Sequence, residues 1–313
     1  MKRRTPPVAP QRIAATAMLA TLAALMAGCA GTRSVTADGR IIAVGAENQY
    51  ANVIAQVGGS YVHVAAVESN PNTDPHSFEA SPSIAETVAS AGLVVQNGLG
   101  YDAFMERIEA ASPSAKRRVI DVQKLLRLPN STANPHLWYE PRTMPAVAEA
   151  IAAALSALQP SHAAYFKAKA VAFERSLTPW YQALKRFAAE YPHTPLATTE
   201  PVGDYMLEAA GTVNLTPFGL QADIMNGVDP APQDVTLQNN LFTDHRAKVF
   251  VYNQQVSDSL TQSFLQAAKS SGIPVVGVYE TMPAPGYDYQ SWMLAEVRAL
   301  HRALAEGRST EKL

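Results

Sequence analysis

From residue 41 onward the chain alternates between two hydrophobic patterns. Short runs rich in β-branched residues, bounded by glycine, proline or polar clusters, read as strands. Longer stretches with apolar residues every three or four positions read as helices. In a first block the strand runs are IIAVG (41–45), YVHVAAV (61–67), LVVQN (93–97) and RVIDV (118–122). NQYANVIAQVGG (48–59) and SIAETVASAG (83–92) are helices between them, each closing on glycine as helix C-termini often do. Ser81 before Pro82, or Ser83 with Glu86 as a capping box, opens the second. A later block repeats the plan, with strands at PLATT (195–199), TVNLTPF (212–218), KVFVYN (248–253) and IPVVGVY (273–279). Its helices are 202–211, 237–246 and 260–272. The blocks share this plan without a repeat in sequence.

Residues 143–190 carry no strand signal. One helical stretch follows Thr143, and a second opens at Pro160 and runs to Tyr191, broken only by Pro179. At about 1.5 Å per residue the second is a kinked helix of roughly 45 Å, long enough to run beside both blocks. Strands alternating with helices imply mostly parallel sheets. The expected fold is therefore α/β with two lobes, each a mostly parallel sheet flanked by helices. The lobes are 41–158 and 192–313, and a long rigid inter-lobe helix (159–191) joins them.

The first 28 residues change the picture of where this fold resides. MKRRTPPVAPQR is basic, and IAATAMLATLAALMAG is an apolar run too short for a comfortable membrane span. It leads into Cys29, the single cysteine, within LMAGCAG. Small residues before a cysteine at the close of a signal peptide are the pattern of a bacterial lipobox, with Met26 where leucine is commoner. Residues 1–28 are thus expected to be a lipoprotein signal peptide and Cys29 the lipidated N-terminus of the exported chain. Residues 29–40 form its tether to a membrane, on a periplasmic or cell-surface face. An ordinary cleaved signal beside an incidental cysteine is the plainer alternative. A lone cysteine excludes intramolecular disulfides. The full chain carries 25 Lys and Arg against 27 Asp and Glu; loss of Lys2, Arg3, Arg4 and Arg12 leaves 21 against 27. No basic patch interleaved with aromatics appears, which argues against nucleic acid as a partner.

In open α/β sheets, ligands bind beyond the carboxyl ends of the strands. Few chemistry-bearing residues stand there. His76 follows the run 61–67 and His136 the run 118–122; Glu200 directly follows PLATT and Glu280 directly follows IPVVGVY. Both histidines stand behind proline, in DPH and NPH. Two imidazoles and two carboxylates suit a divalent transition metal, and two carboxylates balance its charge in a buried site. Four protein ligands make a holding site; three with an open position and a general base would make an exported metal-dependent hydrolase. The sequence contains neither H-E-x-x-H nor G-x-S-x-G.

DPHSFEASPS (74–83), followed by LVVQNGLGYDAFMERI (93–108) and then NPHLWYEPRTMPAVAEAI (134–151), resembles the zinc/manganese solute-binding proteins of ABC importers, the cluster A-I metal-binding lipoproteins. The resemblance runs from about residue 41 to about 303 and is stronger in the first half. It implies two α/β lobes joined by one long helix and a metal held by His76, His136, Glu200 and Glu280. It also implies a non-enzymatic monomer that hands Mn²⁺ or Zn²⁺, with Fe²⁺ a third candidate, to an ABC permease with its cytoplasmic ATPase. Glutamate at position 200 leans toward manganese. Glu280 stands where the family usually has aspartate, with Asp288 the substitute if the loop folds differently. The histidine-rich loop of many zinc binders is missing, since residues 110–133 contain no histidine.

The other polar residues have plainer readings. His63 is expected to face outward from a strand, His162 and His301 to lie on helices, His193 to begin a strand and His245 to sit near a helix end. Trp138 and Tyr139 wall the site or simply pack. Asn97, Tyr252 and Asn253, at strand ends, are candidates to orient the ligands by hydrogen bonds.

Overall fold

The computed structural model describes Met1 and residues 34–72, 78, 80–283 and 286–313. Cys29, all but the first residue of the expected signal segment, and His76 with the Asp74 and Pro75 before it lie outside the described residues.

The first sheet comprises β1 (Ile41–Glu47), β2 (Val62–Glu68), β3 (Leu93–Gln96) and β4 (Arg118–Asp121), all parallel, in the order β2-β1-β3-β4. Around it lie α1 (Asn48–Gly58), α2 (Pro82–Ser90), α3 (Ala103–Ala111), the single turn α4 (Val122–Leu125) and α5 (Thr143–Leu158). α1 buries Tyr50, Val53, Ile54 and Val57, a helical stripe, against the sheet. It lies close because β1 carries Gly45, where a Cβ would stand 2.3 Å from the Ala51 nitrogen.

A 3₁₀ turn at Pro160–His162 then opens α6 (Ala163–Ser176), which continues through Leu177 into α7 (Thr178–Glu190). Leu177 keeps helical dihedrals, so the run is one bent helix, with its bend where Pro179 has no N–H to offer the Arg175 carbonyl. α6 packs on α1 and α5 beside the first sheet.

The second sheet comprises β5 (Pro195–Thr198), β6 (Val213–Asn214), β7 (Phe250–Asn253) and β8 (Val275–Val278), parallel, in the order β6-β5-β7-β8. It is flanked by α8 (Asp204–Ala209), α9 (Phe218–Met225), α10 (Pro232–Thr243), α11 (Ser259–Ser270) and α12 (Tyr289–Glu306). α7 packs on α12. The bent helix therefore lies beside the first sheet with one half and against the second sheet's flanking helix with the other. One apolar core, including Tyr50, Trp138, Phe166, Trp180, Val276 and Trp292, continues through both sheets and the bent helix. Every residue of β3, β7 and β8 is buried, which is why these parallel strands read as unbroken apolar runs. Among the described residues no helix is long and apolar enough to cross a membrane.

Three local expectations are corrected. The strand expected at 212–218 lasts two residues, because the Thr216 side chain turns back to Thr198 and Pro217 has no N–H for a ladder. No capping box joins Ser83 to Glu86: Ser81 is the N-cap, without a side-chain cap bond, and its hydroxyl pairs with that of Ser83. His193 begins no strand; it occupies a turn at φ 56°. Residues 36–40, within the expected tether, make a turn that brings Val35 back beside Ile41.

Candidate metal site

Both sheets have the same strand order, so in each the chain reverses direction of growth between its two central strands, β1/β3 and β5/β7. Crevices at such switch points are where open α/β sheets receive ligands. Glu200 lies two residues beyond β5, Asn253 ends β7 and Glu280 lies two residues beyond β8. His136 arrives on the loop between α4 and α5. All four are buried, His136, Asn253 and Glu280 completely.

The structure brings three of the four expected ligands together. His136 Nε2 is 3.3 Å from Glu280 Oε2, and the Asn253 amide donates to Glu280 Oε1 at 2.8 Å and to Glu200 Oε1 at 3.0 Å. The fourth, His76, lies outside the described residues, and among the described residues alone no three His, Cys, Asp or Glu side chains form a set able to hold an ion.

The hydrogen bonds around His136 orient its ring. Asn134 Nδ2 donates to the Pro201 carbonyl, which leaves Asn134 Oδ1 as acceptor, 2.8 Å from His136 Nδ1. Nδ1 is therefore placed to donate to Asn134, and Nε2 faces Glu280 Oε2. Ligand atoms about 2.0–2.1 Å from a tetrahedral zinc stand about 3.3 Å apart, so the spacing fits a shared metal ion.

Other residues hold these groups in place. Asn253 Oδ1 accepts from the Gln255 N–H, and Gln255 Oε1 accepts from the N–H groups of Glu280 and Thr281. Tyr101 donates its hydroxyl to Glu280 Oε2 at 2.9 Å. Its loop is forced into shape by Gly98, Leu99 and Gly100, all at positive φ, with Asp102 accepting from the N–H groups of Asn97 and Gly98. Leu99 is the one of the three that pays strain. Burial pushes Asp102 up to about 7. Asn48 exchanges two hydrogen bonds with the backbone of Met282, and Gln49 donates to the Glu280 carbonyl. The ENQ segment at the end of β1 thus clamps the ETM segment after β8.

Several expectations meet the geometry directly. Trp138 stands edge-on to His136, ring centroids 5.4 Å apart, and walls the site. Tyr139 instead donates to the Tyr279 carbonyl, next to Glu280. Asn253 orients both carboxylates, and Asn97 steadies the histidine loop by donating to the Pro135 carbonyl. Tyr252 does not reach the site: it packs in a separate core and accepts from Gln262. Asp288 caps α12 in a capping box with Ser291. His63 is exposed on β2, His162 stacks on Tyr61 and His301 pairs with Glu190. Sequence reasoning missed Tyr101, Asn134, Asn48, Gln49 and Gln255. Asn134 carried a signal, an asparagine two residues before a histidine, the spacing of an Asx turn.

Comparison with known proteins adds ancestry to this geometry. Residues 44–303 match the family described as zinc-uptake complex component A, periplasmic. The zinc-binding protein TroA of Treponema pallidum is 23% identical over 188 residues, 58% of this chain and 61% of that protein, so the match spans less than two thirds of the relative. The iron-binding protein YfeA of Yersinia pestis is 25% identical over 242 residues, 72% of this chain and 75% of its own. The solved structure of the Treponema pallidum periplasmic zinc binding protein TroA has a TM-score of 0.69 at 18% identity, covering 83% of this chain and 99% of that one. The Mn-bound periplasmic metal binding protein of Candidatus Liberibacter asiaticus has a TM-score of 0.67 at 19% identity, covering 84% and 98%. These structures share the two-lobed α/β fold.

Proposed function

Because the chain belongs to the family of periplasmic zinc-uptake complex component A, we propose that it captures a divalent transition-metal ion between its lobes and delivers it to the permease of an ABC importer. The ligands are His76, His136, Glu200 and Glu280. The observation that carries this reading is the approach of His136 Nε2 to Glu280 Oε2 at 3.3 Å, with the second carboxylate joined to the first through Asn253. Each ligand comes from a carboxyl end of one sheet or from the loops beside it, and His76 is assigned from the resemblance of its motif and its place after β2.

Two carboxylates and two imidazoles are a donor set for Mn²⁺, Zn²⁺ or Fe²⁺. The named relatives bind zinc and iron, and a similar fold was solved with manganese. Glu200 in place of a third histidine favours the harder ion, manganese. The lobes are assigned to 41–158 and 192–313 with the helix 159–191 between. Lipid on Cys29 anchors the exported chain beside its permease, and the protein works as a monomer. The alternative of an exported hydrolase gains nothing from the family or from the buried, carboxylate-rich site.

The test is elemental analysis of the purified chain beginning after Cys29, followed by competition titration with Mn²⁺ and Zn²⁺ at neutral pH. The parent should hold one metal ion per chain. His136→Ala and Glu280→Ala should each weaken it by more than about 100-fold, beyond the loss typical of an outer partner. A parent without metal, or variants that bind as tightly, would overturn the reading.

A further inference from the structure

α1 carries two stripes. Tyr50, Val53, Ile54 and Val57 pack on the first sheet, whereas Asn48, Asn52 and Gln56, each four residues from the last, form a row of amides along another face. At about 1.5 Å per residue the row is about 12 Å long. Every rung meets the chain at Met282 or at the start of α12. Asn48 Nδ2 donates to the Met282 carbonyl and Asn48 Oδ1 accepts from the Met282 N–H, both at 2.8 Å. Asn52 Oδ1 accepts from the Tyr289 N–H at 3.1 Å. Gln56 and Gln290 exchange two amide hydrogen bonds, at 3.0 and 2.8 Å, and Gln56 Nε2 also donates to Asn52 Oδ1 at 2.6 Å.

The row is graded from inside to outside. Asn48 and Met282 are buried, and beside them Gln49 holds the Glu280 carbonyl. In the middle rung Tyr289 is buried and Asn52 half-buried. In the outer rung both Gln56 and Gln290 are half-buried, and Gln56 borders a cavity of about 350 Å³ between α1 and α6.

None of these amide side chains titrates, and no rung is an ion pair for salt to screen. A hydrogen bond near the surface exchanges with water at little cost, while one between buried partners leaves unsatisfied groups when it breaks. Local opening of a folded chain begins where stability is lowest. The outer rung is therefore the first to give way and the inner rung the last.

We propose that Asn48, Asn52 and Gln56 form a graded latch between the lobes, which opens from Gln56–Gln290 inward through Asn52–Tyr289 and ends at Asn48–Met282. Closed, it holds the start of α12 to α1 regardless of salt. Opening in this order keeps Glu280, two residues from the innermost rung, in place until the outer rungs have parted. The latch needs no bound ion, so it stands or falls independently of the capture reading.

Two backbone N–H groups report on the rungs directly, because each has a side-chain oxygen as its acceptor: Tyr289 on Asn52 and Met282 on Asn48. Their hydrogen exchange, followed by NMR in the metal-free protein and corrected for intrinsic rates, is compared in the parent, Gln56→Ala, Gln290→Ala and Asn48→Ala. In the parent, Tyr289 should exchange at least about tenfold faster than Met282. Gln56→Ala and Gln290→Ala should each speed both N–H groups by about fivefold, the effect of about one net hydrogen bond, since inner rungs open only after the outer one. Asn48→Ala should speed Met282 and leave Tyr289 as it was. The same pattern is expected at low and high salt. Equal rates in the parent, or a Tyr289 that quickens along with Met282 in Asn48→Ala, mean that the row opens as one unit and overturn the proposal. An effect of Gln56→Ala that stops at Tyr289, or reaches neither group, makes the rungs independent and overturns it too.

Discussion

Replacing Glu296 with glutamine is expected to flatten a loss of stability that the parent suffers as pH rises. Glu296 lies on α12, completely buried, where its Oε1 accepts from the Trp292 indole at 2.9 Å and the Tyr139 hydroxyl at 3.4 Å. Burial raises its carboxyl from 4.5 to about 8, against the smaller opposing effect of those two hydrogen bonds. The folded chain thus holds a proton that the unfolded chain releases above about pH 4.5. The stability tied to that proton is fully present below about 4.5 and is lost as pH rises through about 8. At about 1.4 kcal/mol per pH unit, the loss between pH 5 and pH 9 is about 4 kcal/mol. Glutamine keeps the acceptor at Oε1 and puts an amide where Glu296 Oε2 already lacks a partner, at a cost of about 1 kcal/mol. The variant should be slightly less stable than the parent at pH 5 and more stable at pH 9 by about 3 kcal/mol. Urea unfolding of both proteins at the two pH values measures this. Asp102, pushed up to about 7, acts in the same direction in both proteins and cancels in the comparison. Parallel pH profiles for parent and variant would refute the reasoning.

Tyr101→Phe removes the hydroxyl that donates to Glu280 Oε2; metal affinity by calorimetry should fall by about tenfold while the fold, read by circular dichroism, is kept. Asn48→Ala leaves the Met282 N–H and carbonyl, both served by Asn48, without their partner in a buried setting. It should cost about 2 kcal/mol of stability and speed metal loss to an added chelator, and an unchanged loss rate would mean that this clamp does not secure the site. Gly277→Ala sets a Cβ 1.9 Å from the Glu311 carbonyl oxygen, where the chain beyond α12 bridges to β8. It should destabilise by about 3 kcal/mol, read from the urea midpoint, with metal affinity retained in the protein that remains folded.

The strands were legible because buried parallel strands announce themselves as apolar runs, as VVGV and FVYN do. β6 was overread for the opposite reason. As an edge strand of two residues it is ended by side-chain bonds from Thr216, which hydrophobicity does not register. The bent helix followed from Pro160 and Pro179, whose effects are local. His136, Glu200 and Glu280 were singled out as candidates because one rule, ligands beyond strand ends, needs only strand positions. Asn134 and Tyr101 escaped because one acts through Pro201 and the other on Glu280, contacts that exist only once the two sheets face each other.

The proposed site draws unequal chemistry from its two sides, and the hydrogen bonds explain why it holds together. The second sheet provides Glu200 and Glu280, fixed by Asn253 and Gln255 from within their own lobe. The first provides His136, whose orientation depends on Asn134, itself tied to the opposite lobe through Pro201 and through Tyr205, which donates to the Asn134 carbonyl. The imidazole is therefore aimed only while the lobes stay in register. The bent helix and the Asn48 clamp keep them so without any metal in the account. In the capture reading proposed above, side chains ordered in this way lower the cost of seating an ion. Release would then follow from the lobes losing register, since parting Asn134 from Pro201 takes away the support of His136 while Asn253 still holds both carboxylates.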